Sequence, residues 1–400
     1  MRARLIFTLA AFATLQACGS LTRLDAVPPA LTEKAVIPEI PNARVWLDRD
    51  LGPFMEAVID DLNREIAALE KDGSPTDRLP PVYTLSISGG GDAGAFAAGI
   101  LSGWTVHGDR PQFRVVTGTS VGALIAPFAY LGSEYDETVR SVAVSVRPEA
   151  IFDRRSTLMG LASDGMASSE PLSRIVAKYV TADTLAAIAR EYARGRVLQV
   201  ATTDLDAGRQ VVWNMGAIAS SHARGALDLF RKILIASASI PGVVSPVMLD
   251  VEVDGRKFQE MHVDGGVISQ VFLYPSQFLH ELTKITGKPF DRELHTYVIR
   301  NGRLQPDWNN TRRRTLAIGA RAISSLVQVQ GINDVQLLYR NALQDGADFN
   351  LAYIGPDFEI PHPGEFDPIY MKKLFDYGQA LGAGGKAWHR GPPSEQIQER

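Results

Sequence analysis

The sequence is poor in cysteine. Cys18 is the only one in 400 residues, so no disulfide can form within the chain. A basic excess is also missing: 41 Lys and Arg stand against 45 Asp and Glu. Nucleic-acid binders ordinarily carry a basic stripe or surplus, and the sequence gives no reason to expect such a partner. Internal repeats and low-complexity tracts are absent. The seven histidines are scattered, and none is set in a loop flanked by glycines that would single it out. What remains is an ordinary globular composition, 45% hydrophobic and 22% charged, long enough for one large or two medium domains with a sizeable core.

The N-terminal apolar stretch is too short to span a bilayer. Residues 5–13 are apolar except for Thr8, and they follow Arg2 and Arg4, which reads as a signal peptide. The stretch leads into Leu15-Gln16-Ala17-Cys18-Gly19-Ser20. This resembles the lipobox of bacterial lipoproteins; the alternative is a cleaved signal peptide with an incidental cysteine. The resemblance implies that residues 1–17 are removed and that Cys18 becomes the lipidated first residue. A lipid there would hold the protein at a membrane surface with no spanning helix. Gly19, rather than Asp, implies sorting to the outer membrane of a bacterial envelope, facing the periplasm.

Residues 18–52 carry Pro28, Pro29, Pro38 and Pro41 without periodicity and read as a tether with a loosely docked segment. In 53–80, Met55, Val58, Ile59, Leu62, Ile66 and Leu69 mark an amphipathic helix, followed by a linker, Gly73 to Pro81, with Gly, Ser, Asp and three prolines. Residues 81–303 alternate β-branched runs with helical patterns, which predicts an α/β domain with a central, mainly parallel sheet. Residues 304–400 form a mostly helical extension expected to pack on that core. Its long helix, about 311–343, carries Leu316, Ile318, Ile323, Leu326, Val327 and Leu337. Those positions fit either core or a lid over an acyl groove. The run Arg312-Arg313-Arg314 fits a solvated helix start or a contact with anionic head groups.

Two glycine-rich turns carry the chemistry. A strand at 82–87 runs into Gly89-Gly90-Gly91-Asp92-Ala93-Gly94 and then a small-residue helix. Gly89, Gly91 and Gly94 also fit the dinucleotide spacing G-x-G-x-x-G. That reading wants an acid about 20 residues on, near the end of the second strand, where this chain has Thr117-Gly118. Three successive glycines at a helix N-terminus instead expose backbone N–H groups, which suit a developing oxyanion. The second turn is Gly118-Thr119-Ser120-Val121-Gly122, between a β-branched run and the segment Ala123-Leu124-Ile125-Ala126. A strand turning sharply into a helix with Ser at the apex is the context a G-x-S-x-G nucleophile needs. The same pentapeptide also fits a tight turn with an incidental serine.

A serine nucleophile needs a base. Asp264-Gly265-Gly266 follows Met261-His262-Val263 and places an acid just after a strand; Asp-Gly is equally a hairpin-turn signal. His280, His295, His362 and His389 follow Asp264 in the chain, so a Ser–acid–His order also stays open.

Taken together, these blocks resemble those of the patatin-like phospholipases. Residues 88–94 are similar to the family's oxyanion block, and Gly118-Thr119-Ser120-Val121-Gly122 to its nucleophile block. Ala236-Ser237-Ala238-Ser239-Ile240-Pro241-Gly242 is similar to its Ala/Ser-rich block ending in Pro, and Asp264-Gly265-Gly266 to its final block. Ala201-Thr202-Thr203-Asp204-Leu205 with Gly208 resembles a further strand-turn segment, and the likeness covers about 82–300. It implies a three-layer patatin-like α/β fold and a membrane-tethered acyl hydrolase of phospholipase A or lysophospholipase type. In that family Ser120 would attack the ester and Asp264 would take its proton. Backbone amides of Gly89, Gly90, Gly91 and Gly94 would line the oxyanion hole, with Gly118, Gly122, Pro241, Gly265 and Gly266 in support. Neither metal nor cofactor is implied, and the partners are a lipid or acyl ester and a membrane surface. One position departs: the family usually has Arg or Lys where this chain has Ala93, so a positive charge near the oxyanion is missing. A carboxylesterase or thioesterase on small esters, and an envelope lipoprotein that only binds lipid, are the alternative readings.

Overall fold

The computed structural model describes residues 23–48, 51–144, 153–154, 164–275, 278–287, 290–306, 308 and 310–393. The signal peptide and Cys18 lie outside them. In chain order the strands are β1 (Arg44–Val45), β2 (Val82–Ile87), β3 (Val115–Thr119), β4 (Asp153–Arg154), β5 (Gly165–Ser168), β6 (Val197–Asp204), β7 (Arg209–Asn214), β8 (Gly242–Val244), β9 (Val247–Val253), β10 (Arg256–Asp264), β11 (Leu294–Arg300) and β12 (Asp348–Tyr353). The helices are α1 (Gly52–Lys71), α2 (Gly94–His107), α3 (Val121–Leu131), α4 (Asp136–Val144), α5 (Glu170–Tyr179), α6 (Ala182–Tyr192), α7 (Met215–Ser220), α8 (Ala226–Ser237), α9 (Phe278–Thr286), α10 (Thr315–Gln344) and α11 (Pro368–Ala383).

The main sheet runs β1-β7-β6-β3-β2-β11-β12, and its centre, from β6 through β12, is parallel. Helices cover both faces, so β2 and β3 are buried almost throughout, as a central parallel strand requires. The fold is thus a three-layer α/β architecture, as expected. The periphery is antiparallel: β7 returns along β6, β1 pairs with β7, and the β9–β10 hairpin attaches to β6. That hairpin turns at Asp254-Gly255, with both residues at positive φ. A small second sheet joins β4, β5 and β8.

The register of β6 sets the site. Its first half pairs with β3, ending at Thr119↔Ala201. Its second half pairs with β10, beginning at Asp264↔Thr202. Ser120, the residue after β3, and Asp264, the end of β10, therefore flank consecutive residues of one strand. Ile299 of β11 lies opposite Ile87, and Ile87 opposite Gly118, so Ser88-Gly89 and Arg300-Asn301 leave neighbouring strands at the same end. Ligands of open α/β sheets bind at this carboxyl end.

The flanking segments join the core. Within 18–52, read from sequence as a tether with a loosely docked segment, residues 23–48 lie on the sheet: Val27, Ala35, Ile37, Ile40 and Ala43 are buried in the main hydrophobic cluster, and β1 extends the sheet. Pro29 opens a short 3-10 helix and Pro38 and Pro41 sit in turns, while the apolar residues between them supply the contact. At the other end, α11 packs against α2 so closely that side chains at Gly99 and Gly103 would strike the Phe375 and Gln379 carbonyls. The C-terminal half of α10 buries Val335, Leu338 and Ala342 against β11 and β12.

Candidate active site

Ser120 sits at the apex of the strand-to-helix turn with φ 56° and ψ −126°, a conformation a non-glycine residue adopts only under constraint. The constraint is visible on both sides. A Cβ on Gly118 would strike the Gly122 carbonyl, and one on Gly122 would strike that of Ile87, so neither position admits a side chain. The Ser120 N–H donates to Ser237 Oγ at 3.0 Å, and Ser237 Oγ donates to the Ala201 carbonyl at 2.7 Å. Ser120 Oγ then donates to Asp264 Oδ2 at 2.5 Å.

Asp264 is held in turn. Its N–H donates to the Ser239 carbonyl, and its Oδ1 accepts from Gly266 N–H at 2.7 Å. The Ala/Ser-rich block thus bridges the serine and the aspartate, through Ser237 to one and Ser239 to the other. A side chain on Gly265 would strike the Ala201 carbonyl; one on Gly266 would strike the Gln270 side-chain amide. Pro241 takes the second position of an exposed turn closed by Val243 N–H to the Ile240 carbonyl, with Gly242 at φ 76°. It shapes the rim and touches neither Ser120 nor Asp264 by hydrogen bond. Burial, partly offset by the hydrogen bonds from Ser120 and Gly266, pushes the Asp264 carboxyl up to about 6. Among the described residues, no histidine is hydrogen-bonded to Ser120 or Asp264.

The glycine loop differs from expectation in which amides are available. Gly89 N–H donates to the Gln270 carbonyl at 2.9 Å, and Gly94 N–H closes the short 3-10 turn onto Gly91 and Asp92. Neither is free for an oxyanion, which corrects the sequence-based set. Both glycines are there for space: a Cβ on Gly89 would crowd Ser120 and Gln270, and one on Gly94 would strike Val121. Gly90 and Gly91, at φ 153° and 58°, have no hydrogen bond to their N–H groups among the described residues.

Behind the loop lies a feature the motifs did not disclose. Arg300 is buried, and its Nη1 donates to the Gly89 carbonyl at 3.2 Å and to Ser88 Oγ at 3.3 Å. Asn301 donates from its backbone N–H to Ser88 Oγ and from its side chain to the Ser88 carbonyl, both at 2.8 Å. In a trans peptide the C=O and the next N–H point oppositely. Drawing the Gly89 carbonyl toward Arg300 therefore turns the Gly90 N–H away from it. Burial holds the Arg300 guanidinium down at about 10, opposed by Asp334, so it remains a cation at neutral pH. The sequence signal was a charged residue at the carboxyl end of a central parallel strand.

An apolar pocket opens beside Ser120 and Gly91, walled by Val121, Leu124, Val142, Leu172, Ile175, Ile240, Phe366 and Met371. Phe366 and Met371 come from the C-terminal segment, which is latched to the glycine loop: Asp92 Oδ2 accepts from Phe366 N–H at 2.8 Å and lies 2.8 Å from His362 Nε2. Helix α10 does not line this pocket.

The family model described as Patatin-like phospholipase matches residues 85–275, the stretch holding both glycine turns, Ser120 and Asp264. This stretch is a patatin-like phospholipase domain. The match over this stretch implies lipid acyl hydrolase activity. Among solved structures, the chain is similar to VipD from Legionella pneumophila, with 10% sequence identity and a TM-score of 0.39, over 77% of this chain and 67% of that one. Comparison with curated proteins gives no match.

A second polar cluster lies within the patatin-like domain. Asp204, Glu260 and His262 are buried, with polar atoms within 4.8 Å of one another. Their atoms are largely committed to protein. Both Glu260 oxygens bond Arg44, His262 Nε2 lies 3.1 Å from Glu260 Oε2, and His262 Nδ1 lies 2.9 Å from Thr202 Oγ1, which also accepts from Trp213 Nε1. Arg44 already supplies the balancing charge, and a metal ion would have to displace these bonds. Among the described residues, Asp204 Oδ2 alone of the polar atoms of these two acids and the imidazole is buried without a partner.

Proposed function

We propose that this protein is a membrane-tethered phospholipase A or lysophospholipase that works through a Ser120–Asp264 dyad. The observation that carries the reading is the 2.5 Å hydrogen bond from Ser120 Oγ to Asp264 Oδ2 at the edge of an apolar pocket. With its carboxyl near 6, Asp264 is ionised at neutral pH yet basic enough to accept a proton. Ser120 Oγ attacks the ester carbonyl as its proton passes to Asp264. Negative charge builds on the carbonyl oxygen, where the free N–H groups of Gly90 and Gly91 receive it. Collapse of that adduct breaks the acyl C–O bond, and the leaving alcohol takes the proton from Asp264. A water then attacks the acyl-serine, giving its proton to Asp264, and the fatty acid leaves with Ser120 restored.

The apolar wall beside Ser120 suits an acyl chain, which supports a lipid substrate over a small polar ester. Ala93 removes a cation from the family's usual place in the loop. Arg300 brings one to the opposite side, where it orients and polarises the Gly89–Gly90 peptide. Cys18, as a lipidated first residue, would keep the enzyme at the periplasmic face of an outer membrane.

The deciding experiment combines a fluorophosphonate probe with mass spectrometry of products from phosphatidylethanolamine, phosphatidylglycerol and their lyso forms. The reading expects labelling and fatty-acid release by the wild type, and neither by Ser120→Ala. Unlabelled wild type would leave a lipid-binding lipoprotein instead. Retained turnover in Asp264→Asn with collapse in one His→Ala variant would replace the dyad with a triad. For the tether, Cys18→Ser is expected to abolish acylation of the N-terminal peptide and release the protein from the membrane fraction.

A further inference from the structure

Residues 308–332 contain four arginines, at 312, 313, 314 and 321, and neither an acid nor a lysine, in a chain whose net charge is −4. The same stretch holds a run of exposed large apolar side chains. Trp308 is 88% exposed, Leu326 71% and Ile323 64%, and Ile318 and Val329 are also more than half exposed. At about 100° per residue, Ile318, Leu326 and Val329 fall on one side of α10, with Ile323 at its edge. Val335, Leu338 and Ala342, further along the helix, face the opposite way into the core. The first half of α10, entered through Arg312-Arg313-Arg314 and carrying Arg321, is therefore amphipathic with its apolar side outward.

This side adjoins the catalytic turn. Gln330, on the flank shared with Ile323, hydrogen-bonds the Ile268 carbonyl, two residues past Gly266. Val267 and Ile268 are themselves about 40% exposed, as is Ile240 on the wall of the Ser120 pocket. Apolar exposure thus continues from the helix to the rim of the site. Isolated exposed apolar residues need no explanation, but a contiguous stripe does. Helices of this composition lie in the head-group plane, apolar side down, with arginines on anionic lipid and tryptophan at the interface. No helix among the described residues is long and apolar enough to cross a membrane.

We infer that the N-terminal half of α10, with Trp308 and the arginine run, is an interfacial binding face that seats the mouth of the Ser120 pocket on an anionic lipid surface. The occupant is a bilayer, because the stripe is bordered by four cations with no acid among them, which an anionic head-group layer complements. A second copy of this acidic chain would need a matching acidic apolar patch. The inference rests on the lipid-hydrolase reading for its partner, but the two can fail separately.

The test uses the full chain with Cys18→Ser, so that a lipid anchor does not carry binding, and sediments it with vesicles of equimolar phosphatidylglycerol and phosphatidylcholine or of phosphatidylcholine alone. Binding is expected to be at least tenfold tighter to the anionic vesicles and to weaken with salt. At about fivefold per charge, replacing Arg312, Arg313 and Arg314 by Gln should weaken it about 100-fold. The pair Ile323→Glu and Leu326→Glu should abolish it while turnover of a soluble short-chain ester stays unchanged, which shows that the variant is folded. Equal binding by wild type and variants, or no binding by wild type, overturns the inference. So does concentration-dependent self-association in sedimentation velocity that the same pair removes, since that would make the face a contact between copies. If vesicles bind as expected but Ser120→Ala leaves lipid hydrolysis intact, the hydrolase reading falls and the binding face stands.

Discussion

Two carboxylates four residues apart on β10 are both buried and carry opposite electrostatics. Glu260 meets the Arg44 guanidinium through both oxygens, with His262 alongside; against the upward push of burial, these hold its carboxyl down at about 2. Asp264 meets only Ser120 and one backbone N–H, no cation, and burial carries it up to about 6. Both lie on one strand and both are buried, so the difference lies in the partner. A buried acid with a matched cation is a structural tie. One left with a hydroxyl alone keeps a proton affinity that chemistry can use.

The largest way to test this contrast is Asp264→Asn. Hydrolysis should fall by about 10³-fold or more, measured as fatty-acid release. The same change should raise unfolding stability at pH 7, by about 3 kcal/mol at most, because it removes a charge that folding buries at a cost. Glu260→Gln should do the reverse. It strands the Arg44 charge and should cost about 3–5 kcal/mol of stability in denaturant titration, with turnover per folded molecule retained. Loss of activity at unchanged stability would erase the distinction between the two acids.

Arg300→Met comes next. Without the pull on the Gly89 carbonyl, kcat should drop about 10- to 100-fold with little change in KM. A purely structural role would lower the yield of active sites, counted with the fluorophosphonate, rather than the rate per site. Guanidinium ion added to Arg300→Ala should restore part of the rate.

The gentlest test is pH. The base form of Asp264 is needed, so kcat/KM should rise about tenfold per unit below pH 6 and level off above it. The stability contributions run in opposite senses. Asp264 has a raised folded pKa, so stability falls as pH climbs from about 4 to about 6. Glu260 has a lowered one, so its contribution is complete above about 4.5 and fades as pH falls toward 2. A rate profile flat through pH 6 would mean that Asp264 is not the base.

Local patterns revealed more of this site than distant contacts did. The strand-turn-helix signatures at Gly89 and Gly118 and the Asp-Gly-Gly turn name residues that the structure brings together, because each is a short segment whose geometry is written in its own glycines. The fate of the Gly89 N–H was not legible, since its acceptor, Gln270, lies far along the chain. The same holds for Arg300 on the glycine loop, and for Asp92 gripping the backbone of Phe366. Composition likewise concealed how residues 23–48 dock: prolines without periodicity gave no sign of β1 on the sheet edge or of the burial of Ile37 and Ile40. In α10 the hydrophobic pattern changes sides midway, which a single periodicity over 30 residues conceals.

Asp334 on α10 accepts the N–H groups of Gln270 and Val271, and Gln270 in turn accepts the N–H of Gly89. The smallest portion of this protein that can be made, moved or recombined as a working enzyme is therefore longer than the stretch its family defines. A chain cut at residue 275 would keep every signature residue yet lose β11 with Arg300, the α10 carboxylate and the α11 helix seated against α2. Transplanting the signature stretch alone would carry Ser120 and Asp264 without the Arg300 and Asn301 that hold the glycine loop.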